Sequence, residues 1–301
     1  MVRFMYIFCL VVWGLNFIAV KVQGTPVSLE LSLTYRLVIT TILFLFLLWV
    51  LKPKKAPALK DLPFVAVFGI CNFALSYLCL YYATILSSAA LVTLIFSLKV
   101  ILTPIALNIF LKEKLHSRVL VGGILGVFGV CILIYPTLNQ FQGFQDVNGI
   151  FLALLGTILT SVGDASSARN ASHKIDPIYA NAIGFTVGSI FMIAIVIFQG
   201  QKMIIPTSVT YLSALLYLTI VASFLAWLFY LKLVEKIGGS KSGYMVALFP
   251  AVGGIASVLI GESDLSVFLT LGCISSSLGA AIALGVGVRK NGVKLPNQFS
   301  V

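Results

Sequence analysis

Long apolar runs alternate with short polar breaks along the whole chain, and the runs carry the prediction. Ten of them, each of about 17 to 25 residues, are long enough to cross a bilayer as helices. Their approximate limits are 4–20, 29–51, 62–83, 88–111, 119–136, 148–168, 178–199, 209–231, 242–261 and 265–288. The breaks carry turn chemistry: Gly24-Thr25-Pro26, Lys52-Pro53-Lys54, the segment 136–143, Asp176-Pro177, Pro206 and Gly238-Gly239. Only the tail after Lys290 reads as unstructured. The pattern predicts an all-α polytopic membrane protein with ten transmembrane helices.

Charge fixes the expected orientation. With both termini cytoplasmic, the basic residues of the breaks, from Arg3 through Lys52, Lys54, Lys55, Lys60, Lys112, Lys114, Arg118, Arg169, Lys174, Lys232, Lys236 and Lys241 to Arg289, Lys290 and Lys294, all fall inside. Only Lys21 and Lys202 fall outside, and Arg36 and Lys99 lie within spans. One missed or invented helix would invert every later loop, so this asymmetry supports an even count.

The same pattern repeats. Laying Glu113 over Glu262 brings Gly123 onto Gly272 and Tyr81 onto Tyr230 without gaps. Each copy has five spans, an odd number, so the second enters the membrane upside down. The expected units are residues 1–140 and 141–290 as two inverted five-helix repeats, with 291–301 a flexible cytoplasmic tail. Glu113 then lies at the cytoplasmic side and Glu262 at the outer side. Secondary transporters commonly have this architecture, with the substrate site near the midplane between the halves.

Composition narrows the class. Of 301 residues, 60% are hydrophobic and 10% charged, with a mean hydropathy of +1.09, whereas about a quarter of a soluble domain is charged. The net charge of +11 would suggest nucleic acid in a soluble protein, but here the basic residues sit in turns beside lipid headgroups, so nucleic acid is not an expected partner. The five cysteines lie in apolar spans without a CxxC pair, which indicates no disulfide framework and no metal site. The first run follows Arg3, lacks a small-residue cleavage site and ends in Lys21, so it reads as a span and not as a signal peptide.

Trp13-Gly14-Leu15-Asn16-Phe17 with Lys21, Arg36 in the second span, the span-ending Glu113 and Glu262, and Phe249-Pro250 together resemble the drug/metabolite transporter superfamily, EamA type. The resemblance runs from residue 4 to residue 288. It implies ten helices in two inverted repeats and movement of small metabolites such as amino acids, many relatives being exporters. One departure is plain: the first repeat has Ile101 where the second has Pro250, its own proline coming later at Pro104.

Three charges sit at membrane depth, Arg36, Lys99 and Asp164, and two cations and one acid either pair among themselves or serve function. Lys99 is at the centre of its span, about 15 Å from either surface, too deep for its stem to carry the ammonium to water. Burying it costs on the order of 3 kcal/mol, and such residues commonly mark a solute path. With no acid expected at its depth, Lys99 is the candidate for binding an anionic group of a substrate. Arg36 either meets headgroups or a backbone carbonyl, or serves coupling or gating. Asp164 either pairs with nearby Arg169 and water, or exchanges protons, which would couple transport to a proton gradient. Tyr77 and Tyr81 share one helix face, and Trp227 and Tyr230 share another, so with Trp13 and Asn16 they are the candidate lining; interface anchoring is the competing role. Glu113 and Glu262 are expected to hold a loop or gate. Small residues at four-residue spacing, as in Gly122/Gly126, Gly184/Gly188 and Ser275/Gly279, are assigned to helix packing.

The expected function is a secondary transporter of a small, carboxylated organic solute, with membrane lipids as surroundings, no cofactor, and a monomer or homodimer as the assembly. The alternative is a membrane-embedded enzyme acting on a lipid. Such an enzyme would gather His, Asp, Glu or Ser at one depth, whereas His116 and His173 lie in loops and the carboxylates are scattered.

Overall fold

The computed structural model describes residues 1–139, 144–238, 242, 244–262 and 264–284. All regular structure among them is helical, as it must be where lipid offers the backbone no hydrogen-bond partner. Seven helical stretches, Val2–Gln23, Leu29–Leu51, Leu59–Leu86, Ala89–Leu111, Val147–Ser172, Pro177–Phe198 and Val209–Ile237, are long and apolar enough to span. Three shorter apolar helices, Ser117–Ile132, Phe249–Leu259 and Val267–Gly279, stand where the other runs were expected. The expected tail 291–301 lies outside the described residues.

Several spans are interrupted, and the interruptions recur. The first is split at Leu15 into α1 (Val2–Gly14) and α2 (Asn16–Gln23), and α3 (Leu29–Leu51) follows unbroken. The third comprises α4 (Leu62–Gly69), a π-helical stretch Ile70–Leu75 and α5 (Ser76–Leu86). The fourth is divided at Leu98 into α6 (Ala89–Ser97) and α7 (Lys99–Leu111), with Pro104 inside α7 removing one N–H from its ladder. Then come α8 (Ser117–Asn139), α9 (Phe144–Ser172) and α10 (Pro177–Phe198). The next span repeats the third: α11 (Val209–Leu216), a π-helical stretch Tyr217–Leu225 and α12 (Ala226–Ile237). A 3-10 turn over Tyr244–Leu248 leads into α13 (Phe249–Leu259), whose Pro250 lies in the first turn, where a missing N–H costs nothing. The last helix is α14 (Val267–Leu284).

Shifted by the separation of Glu113 and Glu262, α3 falls nearly onto α10, and the first π-helical stretch falls inside the second. The breaks at Leu98 and Leu248 also nearly coincide. The displaced prolines therefore do not displace the break.

Large apolar side chains face outward, and within the mostly apolar interior lie several charged and polar ones. Trp49, Ile124 and Phe198 are 71%, 71% and 94% exposed, while Arg36, Asn72 and Asn181 are fully buried and Lys99 and Asp164 are 3% exposed. Lipid contact accounts for the first set; the second needs partners. Glycines set the closest approaches: a Cβ on Gly69 would strike the backbone of Gly184, and one on Gly129 would lie 2.7 Å from the carbonyl oxygen of Gly272. In the middle, Phe73 stacks on Phe185 at 3.7 Å.

Candidate functional site

A hollow lies at the interruptions. Asn16 follows the break at Leu15, Lys99 the break at Leu98, and Phe249 the break at Leu248, and all three line it. Irregular backbone at membrane depth is tolerated where it faces a cavity or packed protein. The hollow holds about 490 Å³ of empty space, yet only about 40 Å³ admits the centre of a water-sized sphere, room for roughly three waters.

Its wall is largely aromatic, with Trp13, Phe17, Tyr77, Phe96, Trp227 and Phe249. Trp13 and Trp227 meet at 5.0 Å between ring centroids. Both indole N–H groups are spent within the wall, Trp13 on the carbonyl of Ala222 at 2.8 Å and Trp227 on the Tyr77 hydroxyl at 2.6 Å. They therefore offer ring surface to whatever occupies the space.

Arg36 is the polar centre. Its side chain is fully buried in α3 and lines the hollow. Nε donates to Ser223 Oγ at 2.8 Å, one terminal nitrogen to the Tyr81 hydroxyl at 3.3 Å and the other to Asn16 Oδ1 at 3.1 Å. The guanidinium carbon also sits 4.4 Å from the centroid of the Tyr77 ring, a favourable place for a cation. Among the described residues no carboxylate pairs with it. A guanidinium has five N–H groups, so one remains uncommitted on each terminal nitrogen, matching the two oxygens of a carboxylate.

Lys99 corrects an expectation. It lines the hollow, but it is not a cation without a counterion: Nζ lies 2.8 Å from Asp164 Oδ2. That oxygen also accepts from the Tyr230 hydroxyl at 3.2 Å and from Thr103 Oγ1 at 3.5 Å. Helix length explains the difference. The apolar run ends at residue 168, one turn beyond Asp164, but α9 continues to Ser172, which sets the acid a turn deeper, and the lysine stem covers what is left. Tyr230 departs too, being packed behind Trp13 at 5.0 Å with its hydroxyl on Asp164 and not in the lining. The net charge of this centre is thus Arg36 alone, plus one.

The model of the EamA-like transporter family matches residues 3–135 and again 147–285. The chain belongs to that family. It is 24% identical to an uncharacterized transporter of Archaeoglobus fulgidus over 278 residues, covering 92% of this chain and 95% of that protein. It is 25% identical to a probable amino-acid metabolite efflux pump of Escherichia coli over 288 residues, covering 90% and 91%. A solved crystal structure matches with a TM-score of 0.69 at 19% identity over 94% of this chain and 96% of that one. This EamA-like protein is therefore a multi-pass membrane protein of a transporter family, with two family units in one chain.

In this EamA-like chain, side chains also tie the repeats together at both ends of the bundle. At one end Lys21 donates to the carbonyls of Thr84 and Ser87 at 3.1 and 2.8 Å and lies 3.5 Å from Glu262 Oε1. Glu262 in turn accepts from the Ala89 N–H at 2.9 Å and from Ser257 Oγ at 2.7 Å. At the other end Asp61 meets Arg169 at 3.1 Å and His173 Nδ1 at 2.9 Å. Glu113, the repeat mate of Glu262, is exposed just past the end of α7, and among the described residues only its backbone is engaged, with Leu107 and Asn108. Sequence reasoning missed Asp61, Ser223, Phe17 and Phe96. Asp61 stands at a helix start where an acid is unremarkable, and Ser223 is a small hydroxyl in an apolar run, so neither carried a signal.

Proposed function

We propose that this EamA-like protein exports a small carboxylated organic solute, an amino acid or a close relative, across the plasma or inner membrane by alternating access. The observation that carries the reading is Arg36: a fully buried guanidinium in an aromatic hollow, with two N–H groups uncommitted and no acid of the protein facing it among the described residues. A carboxylate would supply the missing charge, and the ring faces of Trp13, Phe17, Tyr77 and Trp227 would cover its organic part. The name carried by the E. coli relative, an amino-acid metabolite efflux pump, agrees with that chemistry.

Two inverted repeats with both termini cytoplasmic give the mechanism its geometry. Both ends are tied, by Lys21–Glu262 on the outer side and Asp61–Arg169 on the cytoplasmic side, and these ties are the gates in this reading. Releasing one tie opens one side. Asp164 is the proton-coupling group in this reading: its Oδ2 is held by Lys99 and Tyr230, while its buried Oδ1 has no partner and can take a proton.

The test is solute counterflow in liposomes containing the purified protein. Saturable exchange of amino acids, competed by other carboxylates and not by the corresponding amines, is the expected result. An imposed pH gradient should drive net flux. Absence of saturable flux for any carboxylated solute would remove the substrate class, and flux indifferent to the gradient would remove the coupling role of Asp164.

A further inference from the structure

The repeat poses a question at its second copy of Lys21. Shifted by the separation of Glu113 and Glu262, Lys21 falls on Asn170, and Thr84 and Ser87, whose carbonyls accept from Lys21, fall on positions in the last turns of α12. Both residues lie two places before the end of their helices, Gln23 for α2 and Ser172 for α9. In the first repeat the ammonium fills the space between a helix end and Glu262. In the second, the shorter Asn170 leaves a pocket lined by Phe68, Ser167, Ile175, Val234 and Glu235.

That pocket is small and unsatisfied. Its empty space is about 280 Å³, of which about 10 Å³ admits the centre of a water-sized sphere, enough for a single particle. Asn170 and Ser167 are 2% and 4% exposed, and Asn170 Oδ1, Asn170 Nδ2 and Ser167 Oγ are all buried without a hydrogen-bond partner. Buried polar atoms left this way are costly, and so many in one pocket call for an occupant. Because neither end of the amide is engaged, it is free to turn its oxygen inward.

We infer that this pocket binds a monovalent metal cation, with sodium as the probe, which takes the place that the Lys21 ammonium holds in the other repeat. Asn170 Oδ1 and Ser167 Oγ are the neutral ligands. Glu235, exposed at the edge of the pocket, is the carboxylate among its lining residues, whereas Glu113, the repeat mate of Glu262, is not part of that lining. The site is distinct from the Arg36 hollow. It rests on the two-repeat relation and not on the solute reading, so either can fail alone.

The experiment is thermal unfolding of the purified full-length protein in sodium chloride against choline chloride at equal ionic strength. Sodium at ten times its half-saturating concentration should raise the Tm by about 3 °C, and Asn170→Ala should abolish the rise. Asn170→Lys is the sharper variant, because it should bring the Tm in choline up to the sodium value of the wild type and remove any further sodium response. Equal Tm values in sodium and choline would overturn the proposal and leave a trapped water as the occupant. Should Asn170→Lys fail to fold, equilibrium binding of radioactive sodium to the wild type decides: saturable binding lost in Asn170→Ala supports the site, and no saturable binding overturns it.

Discussion

Replacing Arg36 with glutamine tests the central hollow most directly. The change removes the charge and the fork while leaving an amide that can still reach part of the network of Ser223, Tyr81 and Asn16. Two charge-assisted hydrogen bonds to a solute carboxylate, at about 1.5 to 3 kcal/mol each, are lost. Some of that is returned, because the solute carboxylate must leave water to bind. A net loss of about 3 kcal/mol corresponds to roughly a hundredfold weaker half-saturation for the carboxylated solute. The assay is counterflow of matched solutes, one carrying the carboxylate and one with the same organic part and no acid. The first should weaken about a hundredfold; the second should be unchanged or improved, since a repelling cation has gone. Thermal unfolding of the variant separates a loss of fold from a loss of recognition. Equal weakening of both solutes would refute the assignment, because it would mean that Arg36 only props the helices apart.

Three further outcomes follow from the packing. Lys99→Met strands the Asp164 carboxylate and should destabilise the protein by about 3 to 5 kcal/mol, whereas Lys99→Met with Asp164→Leu should recover most of it; a denaturation cycle that comes out additive would show that the pair is uncoupled. Glu262→Gln weakens the tie to Lys21 by about 0.7 kcal/mol, so a membrane-impermeant thiol reagent should label a Phe17→Cys variant about threefold faster from the outer side, and an unchanged rate would deny Glu262 a gating role. Gly69→Val drives a side chain into the backbone of Gly184 and should cost about 2 to 3 kcal/mol, read as a lower Tm.

The sequence and the structure divide the result in a definite way. Hydrophobic run length announces a membrane-embedded helical protein because a bilayer admits few other backbones, and the spacing that lays Glu113 on Glu262 also lays α3 on α10 and one π-helical stretch on the other. Asn16, Trp13, Tyr77, Tyr81 and Trp227 were nameable as lining from their residue type and depth, Arg36 was nameable only as a charge within a span, and all six line one hollow. Which buried cation lacks a counterion was not nameable. Depth along one helix is counted from an end that sequence locates only to within a turn, and a lysine stem reaches farther than that error. Partnership across helices depends on how those helices tilt and cross, which is decided by glycine contacts such as Gly69 on Gly184 and not by any pattern within a single span. The chain alone therefore determined the kind of protein and the residues worth watching. Tertiary packing alone decided that Lys99 is paired with Asp164 and that Arg36 is left to face the hollow.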